Sequence, residues 1–134
     1  MNIWVNGCFD ILHVGHLNLL QAAKKYKNKK NILYVGIDSD KRVKELKGND
    51  RPINNENDRK RLLESLKMVD KVVIYDTQEE MCNYIKSFNI DYMMIGDEYK
   101  DKNIFCREFS KNDVVFFPKD NRSSSKIIEK IKKS

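Results

Sequence analysis

Short apolar runs alternate with amphipathic stretches from one end of the chain to the other. Ile3-Trp4-Val5 reads as a strand that stops at Asn6-Gly7, and residues 14–26 place Val14, Leu17, Leu20 and Ala23 on one helical face. A second strand follows at residues 32–37. Residues 38–57 are polar, carry Gly48 and Pro52, and read as a long loop. Beyond them a helix buries Leu62, Leu63, Leu66 and Val69. Strands at 71–75, 92–95 and 114–117 then alternate with helices near 78–88 and 124–132. Strands separated by helix-length amphipathic segments are the rhythm of a parallel sheet with crossover helices. The pattern therefore predicts one α/β domain over residues 1–134, built on a five-stranded parallel sheet, with no internal repeat and no linker.

In an open parallel sheet, ligands collect outside the carboxyl ends of the strands. Reading just past each predicted strand gives Gly7-Cys8-Phe9-Asp10, then Asp38-Ser39-Asp40, then Gly96-Asp97-Glu98-Tyr99, then residues 119–125. The most chemically distinctive polar groups thus fall on one rim. Composition adds the sign of the partner. With 26 Lys+Arg against 20 Asp+Glu the net charge is +6, which favours an anion: a phosphorylated metabolite, a nucleotide or a nucleic acid. The clustered basic and aromatic residues of a single-strand binder are missing, so no nucleic-acid partner is expected. No apolar run approaches the roughly 20 residues of a membrane span and no leader pattern opens the chain, so a soluble, unprocessed protein with no membrane partner is expected. Cys8, Cys82 and Cys106 are odd in number, far apart and without a C-x-x-C pair. They predict neither a disulfide nor a zinc knuckle, and a reducing cytoplasm.

His13 and His16, the two histidines of the chain, stand three apart at a helix start and so share one face of its first turn. Three readings are open: surface or core histidines, a metal pair, or phosphate donors. The common helical zinc pair is spaced i,i+4 with a glutamate between, and no further ligand is near in sequence, so no metal ligands are assigned. The phosphate reading uses the unpaired N–H groups and the positive dipole end of the helix, with Gly15 allowing close approach. Lys44 and Lys47 are either a solvated face or a phosphate-reaching pair. Ser123, Ser124 and Ser125 are either a plain N-cap for the last helix or phosphate ligands.

The segment G-C-F-D-I-L-H-V-G-H (residues 7–16) resembles the signature of the H-x-G-H nucleotidyltransferases, a superfamily with a Rossmann-like three-layer sandwich fold. Residues 47–54, K-G-N-D-R-P-I-N, with Asp40 and Lys44 upstream, resemble heptose 1-phosphate adenylyltransferases. Residues 94–99, M-I-G-D-E-Y, resemble the G-D-x-W/Y segment of glycerol-3-phosphate cytidylyltransferases. In place of the family's second signature, I-S-T-T-x-I or I-S-S-T/S, the chain has R-S-S-S-K-I (residues 122–127), and the arginine after a proline is replaced by Lys119, so Lys119 or Arg122 takes that arginine's place.

The resemblance implies nucleotidyl transfer from a nucleoside triphosphate to a phosphorylated small-molecule acceptor, with release of pyrophosphate and with Mg²⁺ as cofactor. It implies His13, His16 and Lys47 as catalytic groups. Gly7, Cys8, Phe9, Asp10, Gly15, Gly96, Asp97, Lys119, Arg122, Ser123, Ser124 and Ser125 would lie around the nucleotide. Asp10, Asp40, Lys44 and Arg59 would meet the acceptor. The short chain and the Gly96–Tyr99 segment favour CTP and a glycerol 3-phosphate-like polyol; the alternative is ATP and a sugar 1-phosphate such as heptose 1-phosphate. Small members of the family are often homodimers.

Overall fold

A computed structural model describes residues 1–118 and 122–134 of the chain. Five strands, β1 (Asn2–Gly7), β2 (Ile32–Asp38), β3 (Lys71–Tyr75), β4 (Tyr92–Gly96) and β5 (Val115–Phe117), form one sheet in the order β3-β2-β1-β4-β5. Every pairing is parallel. The helices are α1 (Val14–Lys25), α2 (Asp40–Lys47), α3 (Glu56–Glu64), α4 (Gln78–Ser87) and α5 (Ser124–Lys133). The chain runs outward from β1 through β2 to β3, then returns through α4 to start the other half at β4. The strand order reverses between β1 and β4, and a crevice opens at such a point outside the carboxyl ends. Gly7 and Gly96 end those two strands.

Alternation along the strands divides the core between the two faces of the sheet. Ile3, Val5, Leu33, Val35, Val72 and Met94 face one way and pack with Leu20 and Ala23 of α1 and Leu63 of α3. Trp4, Val73, Tyr75 and Met93 face the other way, onto Met81 and Ile85 of α4. The result is the three-layer, Rossmann-like α/β architecture. Most of these side chains are wholly buried, and each full burial of a large aliphatic side chain is worth about 1.5–3 kcal/mol. Gly36 of β2 is part of this packing: a Cβ there would overlap the indole of Trp4, so only glycine lets the buried tryptophan lie across the neighbouring strand.

The structure departs from the sequence expectation in three places. Residues 38–57 contain a helix. Ser39 Oγ accepts the Arg42 N–H at 3.1 Å, Glu56 Oε1 accepts the Asp40 N–H at 3.0 Å, and Gly48, at φ 105°, ends α2. Its buried apolar content is a single residue, Val43, too little for a periodicity to show. The apolar faces of two helices are also rotated from their predicted positions, leaving Val14 and Leu62 about half exposed. Finally, Cys82 of α4 and Cys106 form a disulfide, and only Cys8 is free. The expectation of three unpaired thiols is corrected, because partners brought together by tertiary packing carry no local spacing signal. Among the described residues no helix is long and apolar enough to cross a membrane.

The bridge joins residues 24 apart in sequence, so in the chain-entropy view it stabilises the fold by about 3 kcal/mol. Urea unfolding of oxidised protein is expected to show that much more stability than the dithiol-reduced protein or Cys82→Ser, with overlapping native circular dichroism spectra. Equal midpoints would show that the bridge contributes nothing.

Candidate active site

The crevice between β1 and β4 is built first from backbone. At Gly7 the chain passes under the Phe9 ring, where an added Cβ would sit 3.2 Å from Phe9 Cε2, and Phe9 itself takes the left-handed φ of 51°. That turn delivers residues 10–13 to the start of α1, with His13 at the N-cap. The Phe9 ring lies against His16 at 4.9 Å, and the His13 and His16 imidazoles stack at 3.7 Å with 24° between their planes. The backbone N–H of His13 donates to His16 Nδ1 at 3.3 Å. With Nδ1 accepting, the neutral imidazole of His16 carries its proton on Nε2.

Helix α5 starts on the other side of the crevice. Ser123 Oγ caps it by accepting the Lys126 N–H at 3.0 Å. The Ser124 hydroxyl donates to the Ile11 carbonyl at 2.8 Å and accepts the Ile11 N–H at 3.1 Å, tying α5 to the β1–α1 turn. The starts of α1 and α5 therefore border one cleft of about 630 Å³, within the range of small-molecule sites. Unpaired first-turn N–H groups and two positive dipole ends make that end of the cleft suited to a polyanion.

The sequence-predicted residues separate into two groups. His13, His16, Lys47, Gly7, Cys8, Phe9, Gly15, Gly96, Arg122, Ser123, Ser124 and Ser125 all line the cleft. Ser124 does so with its hydroxyl engaged at Ile11, tying the β1–α1 turn to α5. The burial of Cys8 pushes its thiol up against the opposing charges of Lys47 and Arg59, so no thiolate stands ready there. Lys119 lies outside the described residues. Asp10, Asp97, Asp40, Lys44 and Arg59 are not among the residues that line the cleft.

Four of these five residues, all but Asp97, have other placements. Arg59 has no exposed surface and is spent on the protein: Nε donates to the Asn54 carbonyl at 2.9 Å, Nη1 to the carbonyls of Cys8 (2.9 Å) and Asp38 (2.7 Å), and Nη2 to Asp40 Oδ1 at 2.8 Å. The expected acceptor contacts of Arg59 and Asp40 are thus replaced by contacts with each other and with strand ends. Asp10 is 1% exposed and accepts from the N–H groups of Ile53 (2.9 Å) and Asn54 (2.9 Å) and from Arg51 Nε at 3.1 Å. Burial by itself would raise its pKa. The two backbone donors and the Arg51 guanidinium outweigh burial and hold the carboxyl below the usual range. Arg51 continues to Ser125 Oγ at 3.3 Å. Lys44 is exposed on α2, one turn from the cleft-lining Lys47.

The far end of the cleft holds residues the sequence reading passed over. Asp38, at the end of β2, accepts from Arg42 Nε at 3.0 Å, and the Arg42 guanidinium lies 5.6 Å from the centre of the Tyr75 ring. Burial pushes the Tyr75 phenol far up, and the charge of Asp38 and a hydrogen bond to it add to the shift. Asn6 faces the same space and accepts Trp4 Nε1 at 2.9 Å. Glu98, Tyr99, Lys102 and Phe105 close the outer wall. Glu98, and not Asp97, turns inward, its carboxylate folded over Gly96 where a Cβ would overlap it. A signal for Arg42 existed: a helix capped at Ser39 places residues 38, 42 and 46 one turn apart on a single face, and all three line the cleft. Among the described residues no three His, Cys, Asp or Glu side chains form a metal-binding group.

Two expected outcomes test this division. Asp10→Asn lowers stability by about 3 kcal/mol at neutral pH, the cost of breaking a buried ion pair. Because the folded carboxyl titrates below its unfolded value, its stabilisation is complete above the ordinary carboxylate pKa and is lost as pH falls through the folded value. The gap between wild type and variant in urea midpoints should therefore close on acidification below about pH 4. Ser124→Ala should lower stability by about 1–2 kcal/mol through its two lost bonds, read by thermal melting.

Residues 4–130 match the model of the family described as cytidylyltransferase-like. Among curated relatives, Bifunctional protein HldE of Campylobacter fetus subsp. fetus (strain 82-40) is 42% identical over 130 residues, covering 97% of this chain and 28% of the relative. Bifunctional protein HldE of Helicobacter pylori (strain HPAG1) is 41% identical over 132 residues, covering 98% of this chain and 28% of the relative. The chain thus spans little more than a quarter of the length of these relatives. Among solved structures, a lipopolysaccharide core biosynthesis protein from Thermoplasma volcanium GSS1 superposes with a TM-score of 0.72 at 25% identity, over 90% of this chain and 98% of that one. With the strand order, the crevice at its reversal and the paired histidines all in place, the chain belongs to the cytidylyltransferase-like family of nucleotidyltransferases.

Proposed function

We propose that the chain transfers an adenylyl group from ATP to a sugar 1-phosphate and releases pyrophosphate. The observation that carries this reading is the 41–42% identity to Bifunctional protein HldE across nearly the whole chain. It outweighs the likeness of the Gly96–Tyr99 segment to cytidylyltransferases of glycerol 3-phosphate. Two further observations support it. Residues 47–54, which resemble heptose 1-phosphate adenylyltransferases, are anchored by their own side chains and N–H groups to Asp10. The second is the structural neighbour at 25% identity, which is named a lipopolysaccharide core biosynthesis protein.

In the reaction an acceptor phosphate oxygen attacks the α-phosphorus in line as the bond to pyrophosphate breaks. No covalent intermediate with the protein is needed, so the protein's task is alignment and charge stabilisation. His16 Nε2 and His13 face oxygens whose charge grows in the transition state. The N–H groups at the starts of α1 and α5, with Ser123, Ser125 and Arg122, hold the leaving phosphates. Lys47, at the end of α2, offsets charge from the opposite wall. The carboxylates lining the cleft among the described residues are Asp38 and Glu98, a sparse set that suits Mg²⁺ arriving with the nucleotide as part of the substrate. Asp38 and Glu98 are the residues that would face such an ion, and it would supply positive charge to offset that of the phosphates.

A pyrophosphate-release screen crossing ATP, CTP, GTP and UTP with heptose 1-phosphate, other sugar 1-phosphates and glycerol 3-phosphate tests the reading. Turnover is expected with ATP and a sugar 1-phosphate; turnover confined to CTP and glycerol 3-phosphate would replace it. With the active pair, His13→Ala and His16→Ala should each keep the native circular dichroism spectrum and lose about a hundredfold or more in kcat, the effect of one aimed transition-state donor.

A further inference from the structure

We propose that Arg42 is the anion anchor of the acceptor half of the cleft and takes the phosphate of the incoming sugar phosphate. The proposal rests on the nucleotidyl-transfer reading and adds to it a residue that determines which substrate half is held where.

The cleft has two charged ends. One, over β1 and β4, is formed by the starts of α1 and α5. The other lies over β2 and β3. In the β1–β2 and β2–β3 ladders Gly7 pairs with Ile37 and Asp38 with Tyr75. Asp38 therefore sits one residue past the level of Gly7, and Tyr75 is two strands, roughly 10 Å, from β1. A triphosphate held by the two helix starts leaves this second end for the other reactant.

Arg42 is the cation of α2 at that end, and it is held rather than free to swing. Its Nε donates to Asp38 at 3.0 Å, its guanidinium faces the Tyr75 ring, and Tyr75, which is 1% exposed, pairs with Asp38 in the β2–β3 ladder. The half-buried Asp38 of β2 and the buried Tyr75 of β3 thus set the orientation of one side chain. The side chain is 20% exposed, and with Nε engaged, its two terminal nitrogens make no hydrogen bond to the described residues. They remain as a planar pair of donors on a residue that lines the cleft. That geometry fits two phosphate oxygens at once, which an ammonium group does not. Asp38 offsets part of the charge, so the site selects an anion that can use the fork and is a weaker attractor for anions in general.

Steady-state kinetics on the full chain with ATP and the active sugar phosphate provide the first test. Arg42→Gln is expected to raise the KM for the sugar phosphate about 30-fold or more while the KM for ATP stays within about threefold, a split expected when a charge-assisted bidentate contact to one substrate is lost. Arg42→Lys, which keeps the pairing with Asp38 but lacks the fork, should show most of the same rise. Tyr75→Leu, which removes the ring that the Arg42 guanidinium faces, should raise the same KM less and leave ATP alone. An equal or larger rise in the KM for ATP, or an unchanged KM for the sugar phosphate, overturns the assignment.

The second test needs no acceptor and uses the wild type. Phenylglyoxal modification of arginines is mapped by mass spectrometry on protein saturated with a non-hydrolysable ATP analogue, with and without inorganic phosphate. Protection of Arg42 by phosphate supports the anchor, and unchanged labelling overturns it. If no sugar phosphate turns over at all, the adenylyl-transfer reading fails while this measurement still decides Arg42.

Discussion

The site depends on one buried cation. Removing a guanidinium from water costs several kcal/mol unless its donors are met, and Arg59 meets that cost with three carbonyl oxygens and one carboxylate drawn from four separate places in the chain: Cys8, Asp38, Asn54 and Asp40. Those places are the carboxyl ends of β1 and β2, the turn before α3, and the first residue of α2. None of them is held to the others by a strand ladder at that level. The cation is tolerable only when all four have arrived, and once they have, the shape of the cleft's inner edge is fixed. Asp10 performs the converse task with the opposite sign, gathering N–H groups of Ile53 and Asn54 together with Arg51, and Arg51 passes the connection to Ser125 at the start of α5.

This arrangement explains why the most conspicuous charges in the sequence are not the ones that face the ligand. A motif records residue type and spacing, and neither tells the direction of a side chain. Arg59 follows an N-capped helix start and looks like a phosphate ligand. It is instead the bolt behind the wall. Lys44 and Lys47 differ by less than one helical turn, yet only Lys47, in the last turn of α2, reaches the cleft. In the outer wall the same ambiguity falls between neighbours, where Asp97 opens a turn of 3₁₀ helix and Glu98 points inward.

The sheet was legible because each strand is a run of apolar residues sufficient to mark it, and because helix-length segments between the runs leave a parallel arrangement as the natural one. Helix α2 was not, since one buried valine cannot establish a 3.6-residue period. Its evidence lay in the ends, Ser39 and Gly48, which read equally well as loop residues in a stretch with a proline. The Cys82–Cys106 bridge was beyond any local rule: the two thiols meet only because α4 and the segment after β4 pack on the same face of the sheet. The paired histidines were legible in position and incomplete in chemistry. Their spacing placed them on one face, but the stacking at 3.7 Å and the hydrogen bond that the His13 N–H donates to His16 Nδ1 come from the turn through Phe9.

The placement of Asp10 also bears on how a cleft with a carboxylate in its signature can receive a polyanion. Three residues before His13, an ionised aspartate facing the cleft would repel the phosphates that the helix starts attract. Turned inward, wholly buried and paired with Arg51, it presents almost no net charge to the cleft, while its hydrogen bonds keep the 51–54 turn against the β1–α1 loop. The remaining negative groups along the lining, Asp38 and Glu98, are tempered differently: one is neutralised by Arg42, and the other is drawn back over Gly96. The groups that line the crevice between α1 and α5 are imidazole, hydroxyl, backbone N–H and Arg122, donors set in place by the fold before a ligand arrives.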